Sequence, residues 1–330
     1  MNTKNPLFKS IISYILQHQL IANQATIVVG LSGGPDSMFL LHFLHAYAQE
    51  YGCAIIAAHI NHKWRPEADA EELLCKSACE KLGITFESAS LPKIMGAAPY
   101  QGSKEAYART GRRLFFENIK AKYNAHAIAL AHHVQDQQET FFLRLLRGSS
   151  LTGLIGMKPK YGPYIRPLLP INKKDILAYL HEHNIAYATD TSNDSDEYLR
   201  NRIRNTVIPA LISADNRFDS NFARTLTQLQ EAEQLLEELT GNYYNQVIII
   251  KQSVHMLDIE TYNSLPTAMR YRILLQWLIA HKVAFTPTTS FFNEINRFIA
   301  NIQSNSHQMH TNWKLVKQKN LLIIKTLSVN

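Results

Sequence analysis

An apolar run that ends in a small, glycine-rich turn constrains the fold of this chain more than any other feature. The run is Thr26–Gly30, the turn reads Ser32-Gly33-Gly34-Pro35-Asp36-Ser37, and a helical pattern of apolar residues follows. This order predicts a strand, a loop and the start of a helix. Gly33 and Gly34 let the backbone approach an anion closely, and a helix start offers N–H groups and a positive dipole end. We therefore expect the turn to bind phosphate.

Asp36 does not suit a loop that binds bare anions, because its carboxylate would repel phosphate. A Mg²⁺ ion between the carboxylate and the phosphates would remove this conflict. The turn lacks the Gly-Lys-Ser/Thr ending of the longer phosphate loop. Instead it resembles the loop of the N-type ATP pyrophosphatases, which cleave ATP between the α and β phosphates. The alternative is an ordinary glycine-rich turn with a capping serine.

Strand and helix patterns alternate through the first half of the chain. The predicted strands cover residues 26–30, 54–59, 85–89 and 125–131, and the predicted helices cover residues 37–51, 68–82, 105–123 and 136–147. Short apolar strands between helices predict an α/β fold with a doubly wound, Rossmann-like parallel sheet. Ligands of such sheets bind beyond the carboxyl ends of the strands.

The pattern changes near Arg217. Helices are predicted at residues 217–240, 268–281 and 290–302, with a short strand at 246–250 and a terminal hairpin at 312–316 and 321–326. We predict a catalytic domain at residues 1–215 and a second, mostly helical domain at residues 216–330.

Charge and cysteine content narrow the class of protein. The 330-residue chain has a net charge of +7, of which residues 200–330 contribute +5. This balance permits an anionic partner such as RNA. Cys53, Cys75 and Cys79 form no CxxC pair, and an odd number of cysteines fits a reducing compartment. We predict a cytoplasmic protein without a membrane segment, because no signal-peptide pattern or membrane-length apolar run is present.

A second motif, Ala131–Thr140, opens a helix at the end of a predicted strand. Asp136 and Glu139 lie three residues apart and share a helix face. Two carboxylates beside a phosphate loop can hold Mg²⁺, a cationic substrate or both. The alternative is acidic capping of the helix start, which would account for one carboxylate but not for both and the neighbouring histidines.

Two weaker patterns complete the candidate site. His59 and Asn61 end a predicted strand, where they could contact a nucleotide or serve a structural role. Arg109 and Arg112 share a helix face and could neutralise a pyrophosphate leaving group, or form a solvated basic surface.

Six motifs occur in one order: SGGPDS, HINH, EAYARTGRR, AHHVQDQQETFFLRLLRG, RPLL and DTSN followed by RNRIRNTVIP. Together, over about residues 27–209, they resemble the tRNA(Ile)-lysidine synthetase family. Ala131, Gln135 and Arg113 stand where that family usually has Gly, Asp and Tyr. The distal half resembles the family's substrate-binding domain more loosely, and we expect no counterpart of the further C-terminal domain of longer members.

The resemblance implies a reaction and a set of roles. ATP adenylates the C2 carbonyl oxygen of the wobble cytidine in the CAU anticodon of tRNA(Ile), pyrophosphate leaves, and the ε-amine of free L-lysine displaces AMP to form lysidine. The residues implied to bind ATP are Ser32, Gly33, Gly34, Pro35, Asp36, Ser37, His59, Asn61 and His133. Asp36 and Asp136 would bind Mg²⁺, Asp136 and Glu139 would bind lysine, and Arg109 and Arg112 would support catalysis. The tRNA would be bound by Arg200, Arg202, Arg204 and the second domain.

Other classes of protein would need different residues. A tRNA thiolase generally needs a catalytic cysteine or an iron–sulfur CxxC set, and an amidotransferase needs a glutaminase domain or a glutamine-tunnel partner. A non-catalytic RNA-binding module would not need Asp36, Asp136 and Glu139 together. The sequence leaves the oligomeric state open, a homodimer included.

Overall fold

The computed structural model describes residues 5–64, 66–96, 103–189, 198–251, 254–301 and 303–327. Arg65, the DTSN motif at residues 190–193 and part of the irregular stretch 93–104 lie outside the described residues. The chain forms two compact units, Met1–Thr227 and Gln228–Asn330. The division falls within a helix that begins at Phe218, so the change of pattern near Arg217 marks the start of that helix. The domain boundary after residue 215 stays a prediction.

A six-stranded sheet forms the centre of the first unit and confirms the predicted α/β class. Its order is β3-β2-β1-β4-β6-β5, parallel except for the last pair. The strands are β1 (Thr26–Gly30), β2 (Ala54–Asn61), β3 (Thr85–Ser90), β4 (Ala127–Ala129), β5 (Lys160–Tyr161) and β6 (Tyr164–Ile165).

The helices of this unit cover both faces of the sheet. They are α1 (Pro6–Gln17), α2 (Pro35–Tyr51), α3 (Ala68–Leu82), α4 (Leu91–Met95), α5 (Lys104–Lys122), α6 (Val134–Leu146), α7 (Leu151–Leu154), α8 (Lys173–Glu182), α9 (Leu199–Arg202) and α10 (Ile208–Ala214), with a π-helical turn at Ile203–Val207.

The centre of strand β1 is apolar because both faces of the sheet are covered. Ile27 and Val29 belong to the core beneath α1, α2 and α8, whereas Val28 belongs to the core beneath α5. All three side chains have no solvent exposure. Alternate residues of a strand point to opposite faces, so a strand buried on both sides reads as a continuous apolar run. The phosphate loop is thereby attached to the middle of the sheet.

Two element boundaries differ from the predicted ones in ways that affect the site. Helix α6 begins at Val134 rather than at residue 136, because Asp136 caps the helix from its third position by accepting a hydrogen bond from the backbone N–H of His133. Strand β2 continues to Asn61, so His59 lies inside the strand. Pairing with β3 extends as far as Asn61 and Ser90, which accounts for the added length.

The second unit combines helices with an antiparallel sheet of order β7-β8-β11-β10-β9. Its elements are α11 (Phe218–Val247, which begins in the first unit), β7 (Ile248–Lys251), β8 (Val254–Asp258), α12 (Ile259–Ser264), α13 (Thr267–Ala280), α14 (Thr289–Ala300), β9 (Ser306–His310), β10 (Trp313–Gln318) and β11 (Leu321–Thr326). The predicted helices and terminal hairpin are present. Strands β8 and β9, which the sequence pattern does not predict, extend the hairpin into this sheet. Among the described residues, every helix is too short or too polar to cross a membrane.

Candidate active site

The predicted phosphate loop connects β1 to α2 and is braced by its own hydroxyl groups. The backbone N–H of Ser32 donates to Ser37 Oγ at 3.1 Å, and the Ser37 hydroxyl donates to the carbonyl of Gly34 at 2.9 Å. Gly33 has a φ of +85°, a conformation that a side chain would strain. A Cβ atom at this position would also lie 3.3 Å from the Cys75 thiol. The braced loop leads into the start of α2, and the first N–H groups of a helix are a favourable site for an anion.

Asp36 lies in the first turn of α2 and faces two cationic groups. Its Oδ2 atom is 3.3 Å from Lys173 Nζ and 3.6 Å from His133 Nε2. Its Oδ1 atom is buried and has no hydrogen-bond partner in the described part of the chain. Burial favours the neutral acid, but His133 and Lys173 outweigh burial and hold the pKa of Asp36 below its ordinary value. Asp36 is thus an ionised carboxylate with one oxygen available.

His133 connects Asp36 to the start of α6. Its Nε2 atom lies 3.5 Å from Asp136 Oδ2, and its imidazole is almost fully buried. Burial opposes a charge on the ring, but Asp36 and Asp136 outweigh it and raise the pKa of His133. His133 therefore balances two carboxylates that the strand order brings to the same edge of the sheet.

Glu139 lies one turn further along α6 and is 1% exposed. Two arginines from the segment after α8 neutralise it. Arg200 Nε donates to Glu139 Oε2 at 2.7 Å, and Arg200 Nη2 donates to Asp136 Oδ1 at 3.2 Å. Arg204 donates to both Glu139 oxygens, from Nε at 2.5 Å and from Nη2 at 3.1 Å. The family resemblance implies tRNA contacts for Arg200 and Arg204, whereas in the structure both arginines pair with these carboxylates.

Lys173 is a site residue that sequence analysis missed. It opens α8 next to the N-cap residue Asn172, and its backbone N–H donates to Gln135 Oε1 at 3.0 Å. Gln135 Nε2 in turn donates to Asn172 Oδ1 at 3.0 Å, so one carboxamide fixes the position of Lys173 against Asp36. A cation at the positive end of a helix dipole is unfavourable, and this was the signal that could have identified Lys173.

The remaining predicted residues occupy different environments. His59 Nδ1 lies 2.9 Å from the carbonyl of Leu31 at the start of the loop, which makes His59 a support for the loop. Asn61 donates to carboxylates of α3, namely Asp69 Oδ1 at 2.7 Å and Glu72 Oε2 at 2.8 Å. Both contacts are structural, and the predicted ATP contacts of His59 and Asn61 stay a prediction. The predicted Arg109, Arg112 and Arg202 are exposed on α5 and α9.

A glycine-rich loop after a central strand of a parallel sheet, with acidic and cationic side chains gathered beside it, is typical of a nucleotide-binding α/β protein. Residues 7–211 match the PP-loop domain family, ATP_bind_3, and the chain belongs to this family.

Relatives with named activities support this assignment. The chain is 40% identical to the tRNA(Ile)-lysidine synthase of Bacillus subtilis (strain 168) over 245 residues, which cover 73% of this chain and 52% of the relative. It is 32% identical to the tRNA(Ile)-lysidine synthase of Bacillus cereus (strain ATCC 14579) over 309 residues, which cover 91% of this chain and 65% of the relative. The chain thus spans between about half and about two thirds of the length of these relatives.

A solved structure shares the fold. The U34-tRNA thiolase NcsA from Methanococcus maripaludis, with its [4Fe-4S] cluster, superposes with a TM-score of 0.57 and 17% sequence identity, covering 68% of this chain and 79% of that chain. In the present chain, Cys75 and Cys79 are buried on α3, and burial raises the pKa of each thiol to about 12. Cys53 precedes β2, at the end of the strand opposite the phosphate loop.

Proposed function

We propose that the chain is a tRNA(Ile)-lysidine synthetase, a cytoplasmic ligase that joins the ε-amine of L-lysine to C2 of the wobble cytidine in the CAU anticodon of tRNA(Ile). The observation that carries this proposal is the position of Asp136 and Glu139 beside the phosphate loop. A pair of carboxyl groups beside a nucleotide site suits a substrate with an ammonium group. The names of the two Bacillus relatives agree with this reaction.

The proposed first step is cleavage of ATP between the α and β phosphates. The loop Ser32–Ser37 would hold phosphate through backbone N–H groups at the start of α2. Lys173, which already faces the loop from α8, would stabilise charge on the departing pyrophosphate. Adenylation makes the C2 oxygen of cytidine part of a good leaving group: the lysine ε-amine attacks C2, the C2–O bond breaks, and AMP leaves with that oxygen.

Asp36 fits the role of a Mg²⁺ ligand. Its buried Oδ1 atom has no hydrogen-bond partner among the described residues, and Mg²⁺ in nucleotide sites commonly takes one or two carboxylates together with phosphates and water. Within the described part of the chain, no three His, Cys, Asp or Glu side chains are grouped to hold a metal ion, so phosphate oxygens would complete the site. Bound there, Mg²⁺ would neutralise phosphate charge. Asp136 fits less well, because both of its oxygens already accept hydrogen bonds.

The lysine substrate would bind at Asp136 and Glu139, and the RNA would bind to exposed basic side chains. Arg109 and Arg112 on α5 and Arg202 on α9 are the exposed candidates for contacts with the triphosphate or the tRNA backbone. We assign tRNA recognition to the second domain as well, because phosphate contacts alone do not read identity.

The test is to incubate the full chain with ATP, Mg²⁺, labelled lysine and a tRNA(Ile) transcript with a CAU anticodon. We expect lysine incorporation with equal amounts of AMP and pyrophosphate, and none with methionine tRNA of the same anticodon. Asp36→Asn should abolish the reaction, whereas Asp215→Asn, at an exposed carboxylate paired with Arg217, should retain it. Formation of ADP and orthophosphate, or turnover without lysine, would contradict the proposal.

A further inference from the structure

Arg200 lies where the proposed amine substrate would bind. Its guanidinium bridges the two carboxylates, donating from Nε to Glu139 Oε2 at 2.7 Å and from Nη2 to Asp136 Oδ1 at 3.2 Å. These are the oxygens that an ammonium group would need. The Arg200 side chain is 42% exposed, so it enters the subsite from the solvent side.

We propose that Arg200 is a displaceable occupant of the amine subsite, and that the phosphate backbone of tRNA draws it away so that lysine can enter. This inference rests on the proposed function. The exchange conserves charge, because one guanidinium leaves Asp136 and Glu139 and one ammonium takes its place.

Arg204 has a different role from Arg200. It donates to both oxygens of Glu139, whereas Arg200 makes only one contact with each carboxylate. A forked, two-point pair is the stronger arrangement. Glu139 is 1% exposed. Leaving a buried carboxylate without a partner strongly destabilises a protein. Because Arg204 stays in place, Glu139 remains paired while Arg200 moves.

The exchange links the two substrates. While Arg200 bridges the carboxylates, lysine must compete with it, and RNA must compete with the carboxylates for the same guanidinium. Each substrate therefore improves the binding of the other, and thermodynamic linkage requires the two improvements to be equal. Lysine therefore binds more tightly when the RNA is bound, and the RNA binds more tightly when lysine is bound.

The test is the lysine dissociation constant of the full chain, measured by equilibrium dialysis with labelled lysine, with and without tRNA(Ile) transcript. We expect tRNA to strengthen lysine binding to the native chain about tenfold. Arg200→Gln should bind lysine about tenfold more tightly without tRNA, and tRNA should add nothing further. The matched control is Arg224→Gln, which removes the same charge from an exposed position of α11 and should leave the lysine affinity of the free protein unchanged.

Equal or weaker lysine binding by Arg200→Gln would overturn the inference. If that variant does not fold, Arg200→Lys decides the matter. The new side chain keeps the positive charge but lacks the planar guanidinium that bridges both carboxylates. The Arg200→Lys variant should therefore also bind lysine more tightly than the native chain. Equal or weaker binding again overturns the inference. A native chain that incorporates lysine but lacks the tRNA effect contradicts the inference alone, whereas a native chain that neither binds nor incorporates lysine overturns the proposed function as well.

Discussion

The position of Lys173 is unfavourable for helix α8, but it places the ammonium group against Asp36 in the site. Its ammonium lies 3.3 Å from Asp36 Oδ2 at the positive end of α8. Replacing Lys173 with Gln should raise the KM for ATP by about tenfold, since a hydrogen bond to a charged group contributes about 1.5–3 kcal/mol. Lys174→Gln, at the exposed neighbouring position, is the matched control and should leave KM near the native value. Equal effects of the two variants would show that only the local charge matters.

The contribution of His133 to the stability of the fold depends on pH. Its pKa is raised in the folded chain above the ordinary 6.5, so the charged ring stabilises the fold fully below that value and this stabilisation is lost as the pH rises through the folded pKa. We expect the stability difference between the native chain and His133→Gln to shrink as the pH increases from about 5.5 to about 8.5. Urea unfolding across this range measures it. A difference that is constant or grows with pH would show that His133 is neutral in the fold.

The sequence could predict which side chains of the site carry negative charge, but not which positive groups face them. Asp36, Asp136 and Glu139 belong to local motifs whose spacing is visible along the chain. Arg200 contacts Glu139 across 61 residues of sequence, and no periodic pattern encodes such a pairing. The basic run therefore suggested RNA contacts, although the nearest anions are the protein's own.

At the scale of elements, helix α6 is held in place by its residue Gln137, which packs against Gly156 in the loop after α7. Gln137 donates from Nε2 to the carbonyl of Met157 at 2.9 Å and accepts from the Met157 N–H at 2.6 Å. Gly156 has a φ of +76°, and a Cβ there would lie 2.5 Å from Gln137 Oε1. The same helix carries Asp136 and Glu139, so this contact also fixes the direction of the carboxylates.

Two glycines allow this contact to be measured. Gly156→Ala should destabilise the first unit by about 2–4 kcal/mol, because it combines a left-handed backbone with a collision. Gly162→Ala, which has a φ of +55° but open space around its Cβ, should cost only about 1–2 kcal/mol. Urea unfolding of both variants gives the comparison. Equal losses would mean that the backbone alone accounts for the effect.

Elements were predictable where the pattern is strong and local. The alternating strands and helices of the first unit follow from short apolar runs between turns. Strands β8 and β9 of the second unit were missed because Val254–Asp258 and Ser306–His310 each contain histidine and further polar residues, and because their partners lie elsewhere in the chain. Such strands are defined by the partner they pair with more than by their own composition.

At the scale of the whole molecule, the basic charge is concentrated before the second unit. Residues 200–227 contain five Arg and two Asp, whereas residues 228–330 contain nine Lys and Arg against seven Asp and Glu. The first unit, ending at Thr227, therefore keeps a net charge of +5. Much of the electrostatic attraction for RNA should reside in the unit that also contains the phosphate loop.

A chain shortened after Thr227 tests how much each unit contributes to binding ATP and tRNA(Ile). We expect it to fold and bind ATP, because its core is complete, but to bind tRNA(Ile) about tenfold to about a hundredfold less tightly. The slope of log affinity against log salt should change by less than about 2, since few net charges are removed. Binding at several salt concentrations, with ATP binding as the control for folding, provides the measurement. Unchanged tRNA affinity would assign the second unit a purely structural role.

The contact behind Gly33 has a spectroscopic consequence. The Cys75 sulfur lies 3.3 Å from the place where a side chain of Gly33 would begin, and burial keeps this sulfur in the thiol form. The S–H stretching vibration absorbs in a region of the infrared that is free of other protein bands, and its frequency depends on the groups around the sulfur. A difference spectrum against Cys75→Ala would therefore record any movement of the phosphate loop when nucleotide binds, with the protein itself supplying the label.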